Sequence, residues 1–169
     1  MTETPQQYTE RILSNVGEHD PWGVLGTTAS RLRTLIVGRS DQDLSRRPAP
    51  GKWSVREILA HLADCEIVIG WRLRSIVANN GAKLQAFDQN RWAAAFKYEQ
   101  LSPTDSLELF EVNRRGNLTL LRSLDPGLME NFGMHDERGR ESVSHLIRLN
   151  AGHDLNHLRQ VEALLSPTH

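Results

Sequence analysis

His153 and His157 stand four residues apart in a stretch whose apolar residues recur at intervals of three and four. On a helix their side chains would differ by only about 40° in direction and could converge on one ion. A protein metal site normally takes at least three ligands, and few residues follow His157, so a third has to come mainly from earlier in the chain. His61 is the best placed. It lies beside Leu62 and between Ile58 and Cys65, on the edge of another apolar series, where an imidazole without a partner would leave a polar nitrogen unsatisfied. Three neutral imidazoles suit Zn2+, Ni2+, Cu2+ or Fe2+ better than Mg2+ or Ca2+, with Zn2+ or Ni2+ favoured, and leave a position open for water or substrate. The plain alternative is a bundle with three satisfied histidines and no ion, because a histidine pair at this spacing also arises by chance.

Two familiar metal chemistries do not fit. The HDLNH segment at 153–157 resembles the zincin motif HExxH, but Asp154 stands where the glutamate base belongs and no third ligand follows it. A ferritin-like di-iron site needs Glu-x-x-His pairs, and no histidine here has a glutamate three residues before it.

Residues near the three histidines have two readings each. Asp64, three after His61, could accept a hydrogen bond from a ligand imidazole or orient water, or could make a surface salt bridge. Gln160, three after His157, could anchor a cofactor or substrate or bridge helices. Asp154 and Asn156 could bound the pocket, or simply be helix-surface polarity. Glu57 is explained as the partner of Ser54 in a capping box. Cys65, one turn after His61, is a possible fourth ligand but more simply a small apolar filler. Trp53, Trp71 and Trp92 read as core or interface anchors. His145 is rotated by about 80° from His153 on a helix and makes a poor fourth ligand, while His19, His135 and His169 read as loop or tail residues.

The elements that must position these groups are helices. Asp20 and Pro21 open a helix at about 21–38 with Trp22, Leu25, Ala29, Leu32 and Ile36 on one face, and Tyr8 to Val16 allows a short one before it. Ser54 and Glu57 open a second long helix carrying Val55, Ile58, Leu59, Leu62, Ile69, Leu73 and Ile76, which Asn79, Asn80 and Gly81 end. A long crossover follows, with room for a short helix from Arg91 to Tyr98. Ser102 and Pro103 start a third helix through Leu107, Phe110, Leu118, Leu121 and Leu124, stopped by Asp125, Pro126 and Gly127. A fourth runs from about Glu141 to Leu165, with Leu146, Asn150, His153, His157, Val161 and Leu164 in its apolar seam. No strand-like alternation of useful length and no internal repeat is present. The expected class is all-α, a four-helix bundle with a long connection between the second and third helices.

Composition agrees with one packed domain over residues 1–169: 38% hydrophobic and 24% charged residues are ordinary for a globular chain of this length. The 20 basic and 21 acidic residues nearly cancel, which argues against nucleic acid or a membrane surface as partner and leaves a small-molecule substrate. A lone cysteine, no apolar segment of membrane-spanning length, and an N-terminus (MTETPQQYTE) without the marks of a signal peptide point to the cytoplasm.

Two linked segments carry a more specific signal. GKWSVREILAHLADCE at 51–66 and GHDLNHLRQVEALL at 152–165 resemble the W-S-x-x-E-x-x-x-H-x-x-D and H-x-x-x-H-x-x-Q elements of the DinB/YfiT-like family of metalloenzymes, in its DinB-like branch. The resemblance implies a four-helix bundle in which His61, His153 and His157 hold the metal, with Asp64 and Gln160 nearby. It also implies one of the family's activities. These include thiol-cofactor-dependent transferases and isomerases, in which a low-molecular-weight thiol is activated as thiolate, and hydrolysis by activated water is the neighbouring possibility. A non-catalytic stress or binding protein stapled by its metal is the competing expectation, and a homodimer is implied by relatives.

Overall fold

The computed structural model describes residues 3–166; His169, read above as a tail residue, lies outside them. Helix α1, Pro5–Ser14, begins earlier than the apolar pattern suggested because Thr4 and Gln7 form a capping box and proline fills the first helical position. Helix α2, Pro21–Ile36, is capped by Asp20, whose carboxylate accepts from the Trp22 and Gly23 amides. A short helix α3, Asp41–Ser45, precedes the long helix α4, Val55–Ala78, which opens at the expected Ser54–Glu57 capping box. The crossover contains strand β1, Ala82–Leu84, helix α5, Gln89–Ala95, and a single 3-10 turn at Tyr98–Gln100. Helix α6, Pro103–Arg122, starts at Ser102 as expected. Strands β2, Phe132–His135, and β3, Gly139–Ser142, then lead straight into helix α7, Val143–Leu165, whose first turn is capped by Ser142.

The bundle consists of α2, α4, α6 and α7. Helix α2 packs on α7 and α6, and α4 packs on α6 and α7, so α2 and α4, consecutive among the four, occupy opposite corners. Helices α4 and α6 are neighbours that run parallel, Glu66 meeting Arg114 and Gly70 meeting Asn117, and parallel neighbours require the long connection between them. Helix α1 lies along α7 at Gly152, where a Cβ would come within 2.1 Å of the Ile12 carbonyl oxygen; only glycine lets the two backbones approach this closely.

The sheet is a departure from the all-helical expectation. Strand β1 pairs parallel to β2, with Ala82 opposite Gly133, and β2 pairs antiparallel to β3, with Phe132 opposite Ser142. Its strands are three or four residues long, too short for a period of two to register in the sequence. His135, expected in a loop, is therefore a buried strand residue that receives a contact from Arg72.

The core divides in two. One cluster gathers Leu25, Leu73, Ile76, Leu118 and Leu146, the other Leu32, Ile58, Leu62, Phe110, Leu158 and Val161. Each such side chain, fully buried, contributes about 1.5–3 kcal/mol. Between the clusters runs a polar layer with one member from each bundle helix: Thr28, Glu66, Arg114 and Asp154, all buried. No described helix is long and apolar enough to cross a membrane.

Candidate metal centre

The capping box fixes where α4 begins, and with it the height of His61, two turns in. Glu57 accepts from the Ser54 amide and hydroxyl and also pairs with Arg47 at 2.5 Å, so its role is the cap. Trp53, just before the cap, lays its ring against the His61 imidazole with centroids 4.8 Å apart. His61 is 1% exposed. Across from it, one turn apart on α7, stand His153 and His157.

The three rings meet. The Nε2 atoms of His61 and His153 are 3.1 Å apart, and those of His153 and His157 are also 3.1 Å apart. The His61 and His157 ring centroids lie 4.9 Å apart. Burial pushes the imidazole pKa of His61 well below its ordinary value, with the neighbouring histidines adding to the effect. Burial, then Arg114, brings His153 down to about 4, and burial, then His153, brings His157 down to about 3. All three are neutral at physiological pH, the state in which imidazole is a ligand.

Gln160 settles the tautomer of His157. The Nδ1–H of His157 donates to Gln160 Oε1 at 2.8 Å, which leaves Nε2 as a bare lone pair facing His153. A single N–H on His153 would have to be shared between two acceptors, whereas a cation in that position satisfies three lone pairs at once. Ligand nitrogens around a tetrahedral zinc stand about 3.3 Å apart, close to the spacing seen, so the donor set fits a divalent ion.

A sulfur adjoins it. Cys65 Sγ lies 3.5 Å from His61 Nε2, and His61, Cys65 and His153 present ligand atoms all within 4.8 Å of one another. Cys65, read from the sequence as a filler or a fourth ligand, thus stands with His61 and His153 among the groups that could hold an ion, and His157 adjoins them through His153. Burial, reinforced by the nearby carboxylates of Glu66 and Asp64, raises the thiol pKa, so without a cation it stays protonated.

The flanking carboxylates differ from expectation. Among the described residues Asp64 makes no hydrogen bond to an imidazole; it accepts from the hydroxyl of Tyr98 and so ties α4 to the crossover. Asp154, expected at the pocket or on the helix surface, is fully buried and grips Arg114 with both oxygens, at 2.6 and 3.0 Å. Arg114 also donates to Glu66 at 2.8 Å and to the Leu25 carbonyl at 2.9 Å. Burial works against its charge, but the two carboxylates outweigh that and hold its pKa above the ordinary arginine value. Since Asp154 lies between His153 and His157 in sequence, this lock fixes the rotation of α7. Asn156 contacts Arg11 at 3.4 Å.

Two cavities reach the rings. One, of about 650 Å³, is lined by His61, Cys65 and His153 together with Tyr8, Arg72, Phe87 and His135. The other, of about 720 Å³, is lined by His157, Gln160, Trp53 and Asn156, and again by Tyr8. Helix α1 therefore carries a tyrosine shared by both; burial pushes its pKa up to about 12. Trp71, expected to anchor the core or an interface, is 71% exposed.

Comparison with known proteins places this architecture. A protein of Oceanobacillus iheyensis is 29% identical over 133 residues, covering 79% of this chain and 77% of its own. YfiT of Bacillus subtilis is 22% identical over 160 residues, covering 94% and 90%. Both bear the name "putative metal-dependent hydrolase". The solved structure of YfiT, described as having "an unusual four-helix bundle topology", superposes with a TM-score of 0.76 at 18% identity over 96% of this chain and 89% of that one. The family model of the DinB superfamily matches residues 25–161, a span holding α4 and α6 whole, most of α2 and α7, and all three histidines, and the chain belongs to that superfamily.

Proposed function

We propose that this protein is a metal-dependent enzyme in which His61, His153 and His157 hold one divalent ion, Zn2+ or Ni2+, and a small nucleophile, water or a low-molecular-weight thiol, is activated beside it. The observation that carries this reading is the convergence of three neutral imidazoles with Nε2 contacts of 3.1 Å, one of them turned to ligation by Gln160. Bound there, a divalent ion supplies Lewis acidity to water or thiol. The chain's own residues do the rest: Gln160 and Trp53 hold two of the rings, Arg114 holds the helix that bears the other pair member, and the cavities admit a small molecule. The names of the relatives favour hydrolysis; thiol transfer rests on the family resemblance. Ester, amide and electrophile substrates, assayed with and without each common cellular thiol, would separate the two, and no turnover by metal-replete protein in any arm would contradict both.

A second reading has one observation behind it. If Cys65 joins the three imidazoles, the coordination shell closes, and the ion becomes a staple between α4 and α7. A Co2+-substituted sample would then show thiolate charge-transfer absorption that Cys65→Ser abolishes. In the enzymatic reading that absorption is missing and Cys65→Ser keeps its activity.

A further inference from the structure

Among the described residues, six charged side chains are buried: Glu57, Glu66, Arg72, Arg114, Glu141 and Asp154. Five have an opposite charge in contact: Glu57 with Arg47, Glu66 and Asp154 with Arg114, and Glu141 with Arg138. Arg72 has none. Glu141 and Asp136 act on it only from beyond contact, and its guanidinium lies 6.0 Å from the Phe87 ring centroid; a buried charge without a contacting counter-charge is costly, and an anionic ligand would offset that cost.

The donors of Arg72 are only partly used. Its Nη2 donates to the Gln85 carbonyl at 2.7 Å and contacts His135 Nε2 at 3.1 Å. Its Nε is buried with no partner, and Nη1 makes no hydrogen bond among the described residues. The residue is 5% exposed, yet it lines the 650 Å³ cavity that His61, Cys65 and His153 also line. On α4, residues 61, 65, 68 and 72 fall at intervals of four, three and four, so they form one stripe along the cavity. His61 and Arg72 mark its ends, about 16 Å apart along the helix axis. Phe87 and Ile69 add apolar wall. Of the other charges on the cavity, Arg138 is committed to Glu141, Glu3 to Arg11, and Asp88 to the first turn of α5; Arg91 and Glu137 also line it, without an ion pair among the described residues, but both are exposed to solvent, unlike Arg72.

We propose that Arg72 is the anion-binding end of this cavity, so that the substrate is a small organic molecule bearing an oxyanion group, carboxylate or phosphate, at the end away from the metal. The reactive end of that molecule rests on the metal-dependent reading above, but the anion site stands on Arg72 alone. An elongated molecule would be held by its charge at one end and presented to the histidines at the other, which places specificity in a fixed fork and not in the metal.

The test is calorimetric titration of the full chain with benzoate, phenyl phosphate and uncharged benzamide. At least one anion should bind ten or more times more tightly than benzamide, and the tighter of the two identifies the group. Arg72→Met should remove that preference, while Arg72→Lys, which keeps the charge but not the fork, should weaken anion binding at least threefold. The lysine variant and the benzamide comparison in unaltered protein remain decisive if the methionine variant does not fold. The same titration on His153→Ala locates the anion: preference lost there but retained in Arg72→Met puts the anion on the metal end and overturns the proposal, as does equal binding of all three probes. A chain that holds no ion but still prefers the anions through Arg72 would sink the metalloenzyme reading and leave this one standing.

Discussion

Replacing Arg114 by methionine keeps most of the side-chain volume but removes the cation from between Glu66 and Asp154, which are 1% and 0% exposed. Four hydrogen bonds go with it, to Leu25, to both oxygens of Asp154 and to Glu66. Breaking a buried ion pair by removing one partner costs about 3–5 kcal/mol, because the remaining charge stays buried. At this chain length 1 kcal/mol moves the melting temperature by about 2–4 °C, so a drop of roughly 6–20 °C is expected. The pH dependence carries the sharper sign. Burial already raises the Asp154 carboxyl pKa and Arg114 opposes that rise, so removing the cation raises it further; such a group favours folding fully below the unfolded pKa and loses that contribution as pH rises through the folded pKa. The deficit relative to the unaltered protein should therefore narrow as pH falls from 8 towards 5. Urea unfolding of both proteins across that range measures it. A loss under 1 kcal/mol, or one that does not change with pH, would refute the claim that the Arg114 cation, set between two buried carboxyl groups, supports the bundle.

Gln160→Leu should weaken metal affinity by about 10–100-fold, read by chelator competition, with little change in the stability of the metal-free chain, since Gln160 is exposed and acts on His157 alone. Gly152→Ala should cost about 1–3 kcal/mol, because its Cβ would meet the Ile12 carbonyl, and should raise amide exchange in α1. Gly116→Ala, on α6 where a Cβ meets nothing within 4 Å, should instead stabilise by about 0.4–1 kcal/mol in the same melting assay. His135, brought down to about 4 first by burial and then by Arg138 and Arg72, is neutral when folded and charges more readily when unfolded. Its contribution is intact above the ordinary histidine pKa of 6.5 and is lost as pH falls from there towards 4. His135→Gln should flatten that part of the urea-midpoint profile.

The bundle was legible because its signals are local. Ser54 with Glu57, Asp20 with Pro21, and Ser102 with Pro103 each mark a helix start within four residues, and the apolar series behind them land in the core. His153 and His157 were legible for the same reason, and His61 because a polar ring on an apolar edge calls for a partner. The rest depends on what packs against what. Glu66, Arg114 and Asp154 lie on three helices, and no spacing within the chain announces that they meet. The seam on α7 understated its burial: Leu149, Ala151, Asp154 and Leu158 are buried as well, because α1 and α2 cover flanks that a single stripe leaves open. From its spacing Asp64 could serve an imidazole or a surface salt bridge, yet Tyr98, 34 residues on, takes it. Arg72 lay on the His61 stripe, and what sets it apart is visible only in space: among the described residues no carboxylate touches it, and its buried Nε has no partner.

Metal analysis of untagged protein, side by side with His61→Ala and His153→Ala, bears most directly on the three-imidazole centre. One divalent transition-metal ion per chain in the unaltered protein, lost from either variant while both stay helical, is the expected result. A folded chain that carries no stoichiometric ion after equilibration with Zn2+ or Ni2+, or an ion that survives both substitutions, would contradict it.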